Sequence, residues 1–351
     1  MISRCLLALV VYAFLALPLA RAEEASFVLR DFTFASGEKL PELRIHYVTW
    51  GEPKRDESGK ITNAILLCHG TMGSARGFAG WWAASMFGPG QPLDSSKYFV
   101  IASDTIGAGK SSKPSDGMRT RFPKYRLEDV VHAQKRLLSE ALGVQELVAV
   151  IGISFGGRQT WQWGIQYPDS MRALVPIVSS PFPNAGRRGM QDFLPAHAIT
   201  SDPTWRGGDY NEPPRNLHLA IMMYWLGLDG AGHFWEAAPS RERAFSYLPK
   251  ATVELARSWD ANDFLYQLRV NDGFDAYSAL DRVKARVLII NMVADEMVPA
   301  DLRHAEKALE KLGSKAQYML VHEASEHGHF AAAYTTAVYG PKIADLLRGL
   351  D

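Results

Sequence analysis

The 351 residues hold 38 Lys+Arg against 38 Asp+Glu and are 47% hydrophobic, a globular balance far from the composition of disordered chains. A formal net charge of zero, with no long basic run, gives no footing for a nucleic-acid partner. A chain of this length can bury a large core as one domain with insertions.

In chain order, Met1 to Arg4 form a short basic start and Cys5 to Ala20 an apolar run, CLLALVVYAFLALPLA. Ala20-Arg21-Ala22 then places small residues at the two positions a signal peptidase reads. The run contains Pro18 and is short of the roughly 20 residues a membrane span needs. The expectation is a cleaved signal peptide over residues 1–22, a periplasmic or secreted protein, and no stable membrane span afterwards. Cys5 precedes the apolar run and so does not fit a lipoprotein anchor. Cleavage leaves Cys68 as the one cysteine, so no internal disulfide can form and stability rests on core burial.

From Phe27 onward, β-rich runs alternate with helical patterns, as in a sheet wrapped by helices. Strands are predicted over Phe27–Phe34, Leu43–Trp50, Ala64–Cys68, Phe99–Ser103, Leu147–Ile151, Ala173–Val178, Val287–Asn291 and Gln317–Val321. Most of those from Ala64 onward are near-continuous apolar runs, as in a parallel sheet covered on both faces. The first two alternate more, as at an antiparallel edge. Helices are predicted over Leu127–Leu142, Arg158–Tyr167, Asp301–Leu312 and Ala331–Leu347, the last with a possible break at Gly340-Pro341. Between Ser180 and about Val283 no β run occurs, while Trp, Met, Pro and Gly are frequent. This reads as a helical cap (residues 180–283) inserted into an α/β core (residues 23–179 and 284–351). Ligands of open α/β sheets bind at the C-terminal edge such a cap would cover.

The chemistry centres on Gly152-Ile153-Ser154-Phe155-Gly156-Gly157. It follows a buried strand and precedes a helix, the context in which G-x-S-x-G forms a nucleophile elbow. The base and its orienting acid are expected in the order serine, acid, histidine. Histidines follow the last strand: His322 is too close to the strand end, His327 and His329 remain, and His329 is favoured as a Gly-His pair just before the final helix. Asp295 lies in the loop after Val287–Asn291, beside Glu296. The alternative acid position, Ser179-Ser180-Pro181-Phe182-Pro183, contains no carboxylate. Backbone N–H groups of Phe155 and of Thr71, in the loop His69-Gly70-Thr71-Met72-Gly73, are positioned as an oxyanion hole. Cys68 reads as a small buried filler and His69 as a brace for its loop. Asp104-Thr105-Ile106-Gly107-Ala108-Gly109-Lys110-Ser111 lacks the full nucleotide-loop spacing and reads as a tight turn at the site's rim. No His/Cys/Asp set has metal-ligand spacing, and no cofactor is called for.

Three segments carry a resemblance: Phe122-Pro123 to Gly143, Gly156-Gly157-Arg158-Gln159 with Tyr167-Pro168-Asp169, and Trp259-Asp260-Ala261-Asn262-Asp263-Phe264-Leu265. With them, nearly all of residues 40–345 resembles the homoserine O-acetyltransferase-like branch of the α/β-hydrolases. The resemblance implies an eight-stranded, mostly parallel sheet with helices on both faces, and a triad at the elbow serine, Asp295 and Gly328-His329. It also implies an acetyl group taken from acetyl-CoA onto serine and passed to homoserine. Family members follow the catalytic histidine with an aspartate that holds the homoserine amine; Phe330 stands there in this chain. They hold the homoserine carboxylate with a cap-helix arginine, where a loose match places Ile221. Unpaired charges against Phe and Ile would cost several kcal/mol. The expectation is therefore a serine hydrolase acting on a small acyl ester, or on a thioester or amide, with Ile221, Trp225 and Phe330 lining an apolar pocket. An acyltransferase with another acceptor is the alternative. A non-catalytic binding protein would be expected to have lost a triad residue, and none is missing. The oligomeric state stays open, a homodimer included.

Overall fold

The computed structural model describes residues 22–350, so the expected signal peptide lies outside the described residues except for Ala22. Eight strands form one sheet in the order β1-β2-β4-β3-β5-β6-β7-β8. They are β1 (Glu23–Thr33), β2 (Lys39–Trp50), β3 (Ala64–Cys68), β4 (Phe99–Ser103), β5 (Leu147–Ile153), β6 (Met171–Ile177), β7 (Arg286–Met292) and β8 (Ala316–Val321). β2 pairs antiparallel with both β1 and β4, while every pairing from β4 through β8 is parallel. β3 and β4 are wholly buried, as their unbroken apolar runs require. β8 has one neighbour and is only half-buried.

Helices cover both faces. On one, α2 (Leu127–Arg136), α3 (Phe155–Gln166) and α9 (His304–Leu312) contribute Val130, Trp161, Trp163 and Ala308 to a core shared with β1 and β3. On the other, α1 (Trp81–Met86) and α11 (Thr336–Arg348) contribute Trp82, Met86, Tyr339 and Ile343. α2 begins with a capping box, in which Asp129 accepts from the Arg126 N–H at 2.8 Å, and it runs on as a π-helical turn over Leu137–Ala141. The last helical stretch breaks at Thr335, between α10 (Ala331–Tyr334) and α11, and not at Gly340-Pro341. The Thr335 hydroxyl donates to the Ala331 carbonyl at 2.8 Å, occupying an acceptor the helix would otherwise use. Gly340 serves packing instead: a Cβ there would stand 3.0 Å from the Pro92 ring.

Between β6 and β7 lie α4 (Gly186–Thr200), α5 (Leu217–Trp225), α6 (Ala231–Ala237), α7 (Arg241–Ser258) and α8 (Ala261–Arg269). Their apolar cluster of Ile199, Leu217, Ile221, Tyr224 and Phe264 closes over Met297 and Val298 of the loop after β7. The Trp259–Leu265 segment explains how the insertion is fastened. Asp260 caps α8 by accepting from the Asn262 and Asp263 N–H groups. Asp263 accepts from the Ser115 N–H at 2.9 Å and its hydroxyl at 2.6 Å. Asn262 donates to the Gly208 carbonyl at 2.9 Å. Further along α8, Gln267 accepts from the Met72 N–H at 2.9 Å and donates to the Gly107 carbonyl at 3.1 Å, tying the cap to two rim loops.

Candidate active site

β5 delivers Ser154 into a turn with φ 58° and ψ −116°, a strained conformation for a non-glycine residue. The flanking glycines are sterically required. A Cβ on Gly152 would lie 2.0 Å from the Gly156 carbonyl oxygen, and one on Gly156 would lie 1.9 Å from that of Cys68. Because these obstacles are backbone, Gly156→Ala is expected to destabilise the fold by more than about 3 kcal/mol. The urea midpoint reads this directly, and an unchanged midpoint would contradict the tight elbow.

The serine's partners come from two other strand ends. The hydroxyl of Ser154 lies 2.8 Å from Nε2 of His329, and Nδ1 of His329 lies 2.7 Å from Oδ2 of Asp295. The other Asp295 oxygen accepts from the N–H groups of Met297 at 2.7 Å and Val298 at 3.0 Å, which fixes the carboxylate's plane. His329 and Asp295 are both buried. The histidine can thus take the serine proton while the aspartate holds its tautomer and stabilises the imidazolium. Thr71 and Phe155 line the same small pocket, with Phe155 the first residue of α3, where N–H groups have no partner along the helix.

The loop bearing Thr71 is braced from below. The His69 Nδ1 donates to the Gly70 carbonyl at 2.8 Å and its Nε2 accepts from the Thr105 N–H at 3.1 Å; burial pushes its pKa down, keeping it neutral. A buried chain runs from Trp163 Nε1 to Gln134 (2.8 Å), from Gln134 to Gln159 (2.7 Å) and from Gln159 to the His69 carbonyl (3.2 Å). Gln159→Leu strips that carbonyl of its side-chain donor and should cost about 1–3 kcal/mol in denaturant unfolding, with a fall in kcat. Full retention of both would remove the chain from the site's support. Burial pushes the Cys68 thiol up, so it stays protonated, consistent with a filler. The Asp104–Ser111 segment is the expected tight turn. It wraps the Asp104 carboxylate, which accepts from the Ala75 and Lys110 N–H groups at 2.6 and 2.8 Å, and Gly109 packs too close to that carboxylate for a Cβ.

Other candidates lie elsewhere. His322 is exposed. His327 stacks on Tyr334 at 4.2 Å and sits 3.3 Å from Asp229, whose other oxygen is 3.5 Å from His233. Sequence spacing gave no metal-ligand set, yet the fold brings donor atoms of Asp229, His233 and His327 within 4.8 Å of one another, because α6 lies against the loop that carries His327. Ile221, expected in the pocket, is fully buried in the cap's own core. Trp225 and Phe330 pack edge to face at 5.2 Å and do not line the Ser154 pocket. The side chains that do include Arg158, Val178, Ser179, Arg188, Asn271, Met297 and Val298. Of these only Arg158 had a usable signal: it stands four residues after Ser154 on one helix, hence on the same face.

An activated serine on a strand-to-helix elbow, with buried histidine and aspartate supplied from later loops, defines an acyl-transferring enzyme of the α/β-hydrolase type. Comparison with known proteins agrees. The family model "alpha/beta hydrolase fold" matches residues 63–301. The homoserine O-acetyltransferase of Haemophilus influenzae is 32% identical over 361 residues, covering 92% of this chain and 98% of that protein. Among solved structures, the homoserine O-acetyltransferase from Bacillus anthracis superposes with TM-score 0.82 at 24% identity, over 93% of this chain and 97% of that one. Esterase E22 superposes equally well, TM-score 0.82 at 22% identity, over 93% and 100%. The chain belongs to the α/β-hydrolase fold family, in its homoserine O-acetyltransferase-like branch. Among the described residues no helix is long and apolar enough to cross a membrane.

Proposed function

We propose that the protein is an exported esterase that hydrolyses short acyl esters through an acyl-serine intermediate on Ser154. The observation that carries this reading is the continuous Ser154–His329–Asp295 relay, whose histidine and aspartate are both buried. Ser154 attacks the acyl carbon as His329 takes its proton, and the N–H groups of Thr71 and Phe155 hold the oxyanion. Each such donor typically contributes about 3–4 kcal/mol. His329 then returns the proton to the leaving alcohol, and water deprotonated by the same imidazole releases the acid. The pocket at Ser154 is narrow, which disfavours a long acyl chain.

The fold alone does not separate hydrolysis from transfer, since esterase E22 and a homoserine O-acetyltransferase superpose on it equally. The acceptor side favours water. Phe330 packs on Trp225, and Ile221 is sealed in the cap core, so neither position offers a charge to an amino-acid acceptor. Acyl transfer to a less polar acceptor is the second reading, favoured by the H. influenzae relative's match over 92% of this chain. Partition of the acyl-enzyme decides between them. With 4-nitrophenyl acetate as donor, free acetate should remain the main product when homoserine or simple alcohols are added at millimolar concentration. O-acetylhomoserine as the main product would overturn the esterase reading.

Export is supported by the basic start, the apolar run and Ala20-Arg21-Ala22. A cut after Ala22 would leave β1 whole: β1 starts at Glu23, and Glu24 is paired with Lys110 at 2.7 Å and with Arg76. Protein recovered from a periplasmic extract should have the intact mass of a chain starting at Glu23. A retained residue 1 would argue for an anchor.

A further inference from the structure

Arg158 is the unexplained charge of the site. It stands one turn beyond Ser154 on α3 and is 6% exposed. Among the described residues its guanidinium makes one hydrogen bond, to the Phe182 carbonyl at 3.3 Å, and lies 4.8 Å over the Phe274 ring. A guanidinium has five N–H donors, and burying it without a carboxylate is costly. Burial first, and then the like charge of Arg188, bring its pKa down to about 9.

The surrounding charges are otherwise balanced. Arg188, on the cap helix α4, is paired with Asp192 at 2.6 Å, and Arg187 is paired with Glu296. His304 is pushed toward its neutral form by burial and by Lys307 and Arg158, and Asp301 is exposed at the rim. Asp192 also attracts Arg158 but is engaged by Arg188 and Asn184, so among the described residues Arg158 and Arg188 share one carboxylate and one positive charge is left over. Arg158, Arg188, Met297 and Val298 line the Ser154 pocket and also a neighbouring cavity of about 510 Å³, so they form the wall between the two.

We infer that Arg158 and Arg188 form a carboxylate subsite, and that the natural substrate is an ester carrying one carboxylate a few bonds from its scissile carbonyl. The inference deepens the esterase reading and rests on it. A carboxylate matches the planar fork of a guanidinium and can accept two N–H bonds from it. A monoanion matches the single uncompensated charge. Arg158 and Ser154 line one pocket, so a carboxylate held by the guanidinium could present a carbonyl a few bonds away to the serine. The site thereby selects for charge at a point the triad itself does not read.

Two matched ester pairs test this and separate the acyl from the alcohol side. The first pair is 4-nitrophenyl hydrogen succinate and its methyl ester; the second is O-acetylglycolate and its methyl ester. In at least one pair the anion should be preferred in kcat/KM by roughly tenfold or more, the discrimination expected of a charged hydrogen bond. Arg158→Met or Arg188→Met should reduce that preference to about unity. Arg188→Met guards against misfolding, since Arg188 lies on the cap and is less buried. Equal or faster turnover of the neutral member in both pairs would overturn the subsite while leaving the esterase reading intact. If no ester is turned over, the esterase reading fails, and calorimetric titration of succinate into Ser154→Ala protein judges the subsite alone. Binding that is lost in Ser154→Ala/Arg188→Met supports it, and no binding overturns it.

Discussion

Ser154→Ala is expected to reduce ester turnover by about five to six orders of magnitude, to the residual level that oxyanion donors and binding alone sustain. The size follows from the covalent route. Without the hydroxyl no acyl-enzyme forms, and the alanine methyl leaves His329 with no nucleophile at 2.8 Å. The fold should survive, because the strained turn is fixed by glycines on either side and by the Ser154 N–H donating to the Ile177 carbonyl at 2.9 Å, none of which involves the hydroxyl. Alanine keeps the same positive φ, so the variant's unfolding midpoint should shift little. Purified Ser154→Ala protein with wild-type far-ultraviolet circular dichroism and measurable ester turnover above one-thousandth of wild type would remove the serine from the mechanism.

Asp295→Asn should cost about three to four orders of magnitude in kcat. The carboxylate does two things that an amide cannot do together. Its Oδ2 accepts from the His329 Nδ1–H at 2.7 Å, and its Oδ1 accepts from the Met297 and Val298 N–H groups. An asparagine that keeps its oxygen on the two backbone donors turns its NH₂ toward Nδ1. Nδ1 then becomes the acceptor, the proton moves to Nε2, and His329 faces Ser154 as a donor unable to take its proton. Loss of the negative charge also leaves the imidazolium of the transition state without its counter-ion. Activity should recover partly at high pH, where hydroxide replaces the missing base. A variant with kcat within tenfold of wild type would place the acid elsewhere, with neighbouring Glu296 the next candidate to exclude.

The sheet was legible because its strands are apolar runs of the length a buried parallel strand demands. All eight predicted segments became strands, with ends moved by a few residues where segments with exposed positions, such as Lys39 and Pro41, joined β2. The elbow was legible for a local reason, since glycines at 152 and 156 are needed by contacts within one turn and against Cys68. Asp295 and His329 followed from chain order and strand ends. The pocket was not legible, because the cap contributes to it through loop and helix packing that no period encodes. Ile221 shows the difficulty: an apolar cap residue belongs equally to a pocket or to the cap's own core, and here the core has it at 0% exposure. Arg188, eight residues into the insertion by sequence, reaches the nucleophile's pocket only because the fold of the cap brings α4 to it. The Asp229–His233–His327 cluster was invisible for the same reason, since His327 lies 98 residues beyond Asp229 in the chain and is joined to it by docking of the cap.

The most direct measurement is intact-protein mass spectrometry after stoichiometric treatment with a fluorophosphonate, followed by peptide mapping. One phosphonyl group should add to the wild type, on the peptide holding Ser154, and none should add to Ser154→Ala or, within minutes, to Asp295→Asn. A phosphonyl group on another serine, or equal labelling of the Ser154→Ala protein, would mean that the hydroxyl aligned with His329 is not the one the protein activates.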